Sequence, residues 1–150
     1  MNAAWLLVLN LAATWYMVGL IWMVQVVHYP LFDRVGEPQF ARYESEHARR
    51  ITPIVGLPML LELATAAALA FQTLPGFPRW VAISGLVLVL TIWLSTALIQ
   101  VPCHAKLEQG FDAETHHWLV TSNWIRTLLW SVRGVLMSYF VARMLASDGP

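Results

Sequence analysis

Histidine and glutamate side chains that could bind a metal ion occur at three places in this sequence. Glu44-Ser-Glu-His47 contains the spacing Glu-x-x-His, which lets one helix present a carboxylate and an imidazole to the same ion. His28 and His104 lie near the ends of two long apolar stretches. Since imidazole and carboxylate groups bind iron, copper and zinc, the sequence predicts a metal site. Its predicted ligands are His28, Glu44, His47 and His104. The alternative is a solvated, charged helix face without a metal, because such pairs are common on exposed helices.

Glu62 is the one charged residue in the second long apolar stretch, roughly 14 Å from its start at about 1.5 Å per residue. An ionised carboxylate at that depth is costly unless it is paired, and Arg126 and Arg133 are its natural partners. One interpretation is a purely structural ion pair between two helices. The other leaves Arg126 to bind an anionic or carbonyl oxygen of a ligand through its planar guanidinium. In that interpretation Glu62, Asn123 and Arg126 orient a substrate.

The last predicted helix, over 112–145, carries its polar residues on one face. Positions three and four apart share one side of an α-helix. That spacing joins His116, Leu119, Asn123, Arg126, Trp130 and Arg133. Polar side chains on one side of an otherwise apolar helix indicate a membrane helix that turns this face away from lipid.

The composition is typical of a membrane protein. Hydrophobic residues make up 58% of the 150 residues and charged residues 12%, whereas soluble proteins have about 45–50% and about 25%. A transmembrane helix needs about 20 apolar residues, and four stretches meet that length: 3–27, 53–74, 80–101 and 123–145. We predict a single all-α domain over 1–150, an integral membrane four-helix bundle in contact with the lipid bilayer.

Composition and charge also disfavour several other classes of protein. The first apolar stretch has no basic n-region, is too long for a signal peptide and is not followed by a clear cleavage site, so we expect it to be retained. The basic and acidic residues balance at 9 each, which gives no electrostatic case for binding nucleic acid. The single cysteine, Cys103, excludes an internal disulfide framework. Four spans bury few helix faces, so a homo-oligomer is left open.

Prolines mark the predicted helix boundaries. Pro30 disfavours helix at the residue before it, so helix one is expected to end there, and helix three is expected to end at Pro102. Two short interfacial helices should follow, over 38–51 and 103–109. Asp112 is the predicted N-cap of the final helix.

The basic residues predict the orientation of the helices, because cytoplasmic loops carry an excess of lysine and arginine. The side reached by the first and third connections holds Arg34, Arg42, Arg49, Arg50 and Lys106, and the other side holds Arg79 and Arg143. We therefore predict a multi-pass protein of the bacterial inner membrane with both termini periplasmic. The same topology places all 5 histidines on the cytoplasmic side.

A short internal duplication points to the same end of the bundle. Gln25-Val-Val-His28 follows helix one as Gln100-Val-Pro-Cys-His104 follows helix three. Each segment is followed by a leucine, a glycine-containing turn and an amphipathic helix with histidine. Two helical hairpins related by an axis along the membrane normal would bring these histidines together.

Two short motifs in the last third of the chain carry a family resemblance. With Pro102-Cys-His104-Ala-Lys-Leu107 followed by Trp124-Ile-Arg126-Thr127, the sequence resembles the anthrone oxygenase-like family of small four-span membrane proteins. The resemblance implies a four-helix membrane bundle and oxygenation of polycyclic aromatics. The sequence departs from the family at His104, where asparagine is expected, and in having His28 and the Glu-x-x-His47 segment. These departures point away from an anthrone substrate and favour a metal.

Two hypotheses for the function follow. In the first, the chain is a metal-dependent oxidoreductase or oxygenase that acts on a hydrophobic small molecule in a pocket at the cytoplasmic helix ends. In the second, it is a non-enzymatic small transporter or a structural subunit of a membrane complex, and the polar face of the last helix is a conduit or holds helices together. The metal content of the protein distinguishes them.

Overall fold

The computed structural model describes residues 3–72 and 74–147, and within them no β-strand is formed. The α-helices in this part of the chain are α1 Ala3–Met23, α2 Glu37–Phe71, α3 Arg79–Ser95, α4 Val101–Leu107 and α5 Ala113–Ser147. Helical turns of other types continue α1 and connect α3 to α4, so that four long helical segments result. All four are long and apolar enough to cross a membrane. The predicted all-α fold with four candidate spans is confirmed.

The second helix begins much earlier than the predicted span. The segment 38–51, predicted as a separate interfacial helix, is the first part of α2, which continues through Pro53 and Pro58. One buried face extends along this helix from Phe40 to Leu69. Packing of a continuous face supplies most of the stability of a protein helix, so it outweighs the backbone donors that the two prolines remove. The prediction of a separate helix here is wrong.

The third helix also continues through its proline. A π-helical turn over Thr96–Gln100 joins α3 to α4 without a break, and Pro102 lies in the first turn of α4. The predicted end of helix three at this proline and the separate helix over 103–109 are therefore wrong. A π turn is wider than an α turn, which makes room for a proline ring that would otherwise meet a carbonyl one turn back. The first duplicated segment has the same arrangement, since a π turn over Val24–His28 precedes Pro30.

The duplicated glutamines attach both segments to the last helix. Gln25 Nε2 donates a hydrogen bond to the backbone carbonyl of Val120 at 3.1 Å, and Gln100 Nε2 donates to Ser122 Oγ at 3.3 Å. Both glutamines are buried. The two repeats therefore make comparable contacts with α5.

The second helix ends before the end of the predicted span 53–74. After Phe71 the chain turns, and the backbone N–H of Phe77 donates to the carbonyl of Leu74 at 3.1 Å. Gly76 has a φ of 74°, which glycine adopts more readily than other residues at the third position of such a turn. Residue 73, which the predicted span includes, lies outside the described residues. The turn brings α3 back alongside α2.

The four helical segments pack as a bundle in which α1 contacts α2 and α5, and α3 contacts α2 and α5. The inward face of α5 is the predicted one: its buried residues include Leu119, Asn123, Arg126, Trp130 and Arg133. Large apolar side chains such as Leu57, Leu98 and Val135 are exposed on the outside of the bundle. The polar groups of this protein thus lie mainly inside and at the helix ends.

Asp112 caps α5 as predicted. Its Oδ1 accepts hydrogen bonds from the backbone N–H of Thr115 at 2.8 Å and from Nζ of Lys106 at 2.9 Å. The hydrogen bonds from Thr115 and Lys106 lower the pKa of the Asp112 carboxyl to about 2. Because Lys106 belongs to α4, this cap also fixes the turn between α4 and α5.

Candidate metal and ligand site

Three parts of the bundle place polar side chains at one end. The helical turns after α1 carry His28 and Tyr29, α2 carries Glu44 and His47, and α4 carries His104. The π turns before Tyr29 and before α4 determine which way these segments face. Residues that are far apart in the chain therefore meet between α1, α2 and α4.

Glu44, His47 and His104 form a group suited to a metal ion. One potential ligand atom from each lies within 4.8 Å of those of the other two. Glu44 is fully buried, and its Oε1 lies 2.5 Å from Nδ1 of His104. The second carboxylate oxygen, Oε2, and Nε2 of His47 are both buried and have no hydrogen-bond partner among the described residues. Two histidines and one carboxylate are the ligand set of non-haem iron oxygenases and of several zinc enzymes.

His28, predicted as a fourth ligand, lies beside this group of three. Its Nε2 is 2.9 Å from Nδ1 of His47. A histidine that ligates a metal usually uses its other nitrogen for a hydrogen bond that fixes the orientation of the ring. The structure thus places His28 where it orients His47 and leaves Nε2 of His47 available.

Tyr29 connects the group to the last helix. Its hydroxyl lies 2.9 Å from Nε2 of His104 and accepts a hydrogen bond from Nη2 of Arg126 at 3.4 Å. This tyrosine was not predicted from the sequence to be a functional residue. The available signal was its position between His28 and Pro30, next to a predicted helix end.

A cavity of about 300 Å³ adjoins the group on the inner side of the bundle. Its wall is mainly apolar, and its polar end is formed by Tyr29, His47, His104 and Arg126. The volume lies at the lower end of the range for small-molecule pockets, which are typically apolar with a few polar groups. Trp93 also lines the cavity, and its indole N–H is buried without an acceptor among the described residues.

Arg126 is held at the cavity by neutral groups. Its Nε and Nη2 donate to Oδ1 of Asn123 at 2.9 and 2.5 Å, and its Nη1 donates to Thr96 Oγ1 at 3.3 Å. Asn123 is itself oriented by Gln25, to whose Oε1 it donates at 2.9 Å. Among the described residues, no carboxylate forms an ion pair with Arg126. Arg126 and Asn123 therefore form one positioned, positively charged unit, and its arginine faces the cavity.

Glu62 pairs with Arg133. Arg133 Nε donates to Oε1 of Glu62 at 2.9 Å, and both side chains are almost completely buried. Glu62 also accepts hydrogen bonds from Thr14 at 2.7 Å and from Trp130 at 2.9 Å. Glu62 is not among the residues that line the cavity. The structure thus separates Glu62 from Arg126, although the sequence had placed them together as residues that orient a substrate.

The arrangement combines three potential metal ligands, a supporting histidine, and an apolar cavity with an arginine at its polar end. No family model, curated protein or solved structure matches the chain. The resemblance to the anthrone oxygenase-like family stays a prediction.

Proposed function

We propose that this chain is a multi-pass membrane protein. The support is the combination of four long apolar helical segments with large apolar side chains on the outside of the bundle. The basic residues at the end of the bundle that carries the histidines favour a cytoplasmic position for that end and a periplasmic position for both termini, in a bacterial inner membrane.

We further propose that Glu44, His47 and His104 bind a transition-metal ion. The observation that carries this proposal is that Oε2 of Glu44 and Nε2 of His47 are buried without a hydrogen-bond partner among the described residues. Both residues belong to a group in which Glu44, His47 and His104 each offer a ligand atom within 4.8 Å of the others. Leaving such groups unpaired in a protein interior costs about 1–3 kcal/mol each. A metal ion would satisfy both lone pairs. Iron fits the two histidines and one carboxylate best, with zinc and copper as the other candidates.

The cavity next to the three ligands gives the site its proposed function, that of a metal-dependent oxidoreductase acting on a hydrophobic small molecule. The metal would supply redox or Lewis-acid chemistry at the polar end of the cavity. The chain itself would bind the apolar body of the substrate between α1, α2 and α3 and keep water out. Tyr29, which lies between His104 and Arg126, is placed to hold a proton or to donate a hydrogen bond to a substrate oxygen.

The metal content of purified protein tests this proposal. We expect about one iron, zinc or copper ion per chain, measured by plasma mass spectrometry after purification without chelators. His47→Ala should lose the metal, because it removes one of three ligands. His117→Ala is the matched control, since His117 is exposed and lies outside the group. Wild-type protein that binds none of these metals, even when they are added, would contradict the proposal.

A non-enzymatic role is the second candidate. The observation in its favour is that Trp130 lines the cavity and also donates to Glu62, so polar contacts continue from the cavity towards the other end of the bundle. A transporter or a structural subunit would use such contacts as a conduit or to hold helices together. This role predicts a protein that is folded and stable without stoichiometric metal.

A further inference from the structure

The positive charge of Arg126 at the polar end of the cavity indicates what kind of ligand the cavity could bind. Arg126 is only 5% exposed, yet its hydrogen-bond partners Asn123, Thr96 and Tyr29 are neutral. A buried charge in an apolar environment is costly unless an opposite charge compensates it. No ion pair among the described residues includes Arg126.

The two buried acids among the described residues, Glu44 and Glu62, contact residues other than Arg126. Glu62 is paired with Arg133, and Glu44 lies against His104. Arg126 therefore differs from Arg133, the other buried arginine, in having no carboxylate partner among the described residues. Of these two arginines on the same face of α5, Arg126 is therefore the one that could pair with a negatively charged ligand.

A second donor lies on the same cavity wall. The Trp93 indole N–H is buried and has no acceptor among the described residues. Trp93 is one helical turn from Thr96, which accepts the hydrogen bond from Arg126. Within the described part of the chain, the Trp93 N–H lacks an acceptor, although buried donors in proteins are normally satisfied. Arg126 lacks a compensating negative charge among the same residues. One anionic ligand from outside the chain would supply both.

We propose that the cavity binds a hydrophobic carboxylic acid, with its ionised carboxylate at Arg126 and its apolar body along the cavity. Guanidinium and carboxylate match in geometry and charge. The apolar wall supplies the complementary surface for a hydrocarbon or ring system. This inference deepens the proposed function by naming its substrate class, and it rests on that function in treating the cavity as the substrate site.

Binding of dodecanoate to the full chain tests the inference. Tritiated dodecanoate would be titrated onto protein in nanodiscs of neutral phospholipid at mildly alkaline pH, with empty nanodiscs subtracted. We expect saturable binding that dodecanol, which has the same chain length but no charge, displaces about tenfold or more weakly than unlabelled dodecanoate. Equal displacement by the alcohol and the acid would overturn the proposal, and this comparison needs no variant.

Two pairs of variants locate the binding. Arg126→Gln should weaken dodecanoate binding by about tenfold or more, whereas Arg143→Gln, at an exposed arginine of the same helix, should not. Gly56→Phe should block binding, because Gly56 lines the cavity and a Cβ there meets nothing within 4 Å. Gly19→Phe is its control, since Gly19 is exposed, does not line the cavity and also has open space. Unchanged binding in Arg126→Gln and Gly56→Phe would contradict the inference.

Removal of the metal from wild-type protein with EDTA separates this inference from the proposed metal site. The stripped protein should retain dodecanoate binding within about threefold, because the carboxylate is held by Arg126 rather than by the metal. Loss of dodecanoate binding together with the metal would assign the carboxylate to the metal and overturn the role of Arg126. Saturable, Arg126-dependent binding to a protein that takes up no metal at all would support the inference and contradict only the metal site.

Discussion

Arg133 Nε donates a hydrogen bond to the Glu62 carboxylate at 2.9 Å inside the bundle, and this pair joins three helices. Glu62 belongs to α2 and Arg133 to α5, while Thr14 and Asn10 of α1 bind the carboxylate and the guanidinium at 2.7 Å each. A buried ion pair whose partners also have neutral hydrogen bonds holds helices in one arrangement. We therefore regard this pair as a structural contact.

Breaking the Glu62–Arg133 pair should strongly destabilise the protein. Glu62→Gln or Arg133→Gln alone leaves one buried charge unpaired and is expected to lower the free energy of unfolding by about 3–5 kcal/mol. The double variant should recover part of that loss, because neither charge remains. Denaturant titration in detergent, followed by circular dichroism, measures these differences. Arg143→Gln is the control, and a double variant that loses the sum of both single effects would contradict the structural role.

Glycine at position 85 makes room for the same arginine. A Cβ at Gly85 would lie 2.6 Å from Nη1 of Arg133. Gly85→Ala should therefore destabilise the protein by about 1–3 kcal/mol through overpacking. Gly19→Ala, where a Cβ meets nothing within 4 Å, should be neutral or should stabilise by up to about 1 kcal/mol through helix propensity. Equal unfolding midpoints for the two variants would argue against close packing at Gly85.

We expect His28 to affect the affinity for the metal although it is not one of the three proposed ligands. Nε2 of His28 lies 2.9 Å from Nδ1 of His47, and Nε2 of His47, the other nitrogen of that ring, has no hydrogen-bond partner among the described residues. Loss of a residue that orients a metal ligand typically weakens affinity by about 10–100-fold. We expect His28→Ala to show this effect in competition with a chromophoric chelator, while His117→Ala stays at the wild-type value. Complete loss of the metal in His28→Ala would instead make His28 a direct ligand.

The cap at Asp112 should make stability depend on pH in the acidic range. Its pKa is lowered in the folded chain from 3.8 to about 2, so the ionised form stabilises the folded state. That contribution is fully present above about pH 4 and is lost as the pH falls towards 2.

The variant Asp112→Ala measures that contribution. Its unfolding temperature should lie below that of wild type at neutral pH, and the gap should narrow between about pH 4 and pH 2 as the wild-type carboxylate is protonated. Thermal unfolding followed by circular dichroism at several pH values supplies the curve. A gap that stays constant over this range would assign the effect to something other than the charge of Asp112.

The pairing of Glu62 shows what sequence patterns can and cannot decide. The sequence places Arg126 and Arg133 seven residues apart, which is one helix face and about two turns. Either arginine could reach a carboxylate on the neighbouring helix, so spacing alone left the choice open. In the folded chain, Asn10 of α1 binds Arg133 and Thr14 binds Glu62, and these contacts favour Arg133 over Arg126 as the partner of Glu62. Helix α1 has no charged residue, so its sequence did not indicate that it takes part in this ion pair.

Apolar runs, in contrast, predicted the four helical segments well. Each run is long enough to form a buried or lipid-facing helix, so composition is sufficient evidence for it. The prolines led to wrong boundaries, because Pro53 and Pro102 are accommodated by packing and by a π turn, neither of which is visible in the sequence. Tyr29 was missed for a related reason, since its role depends on how the helix continues past Pro30.

The π turn over Thr96–Gln100 also determines whether His104 can reach Glu44. It accommodates one residue more than an α turn, which shifts the angular phase of everything after it by about 100°. Deleting a single residue there would swing the imidazole of His104 away from Glu44 while leaving the hydropathy of the segment almost unchanged. A chain of nearly the same composition could thus form the same bundle and lack the group formed by Glu44, His47 and His104.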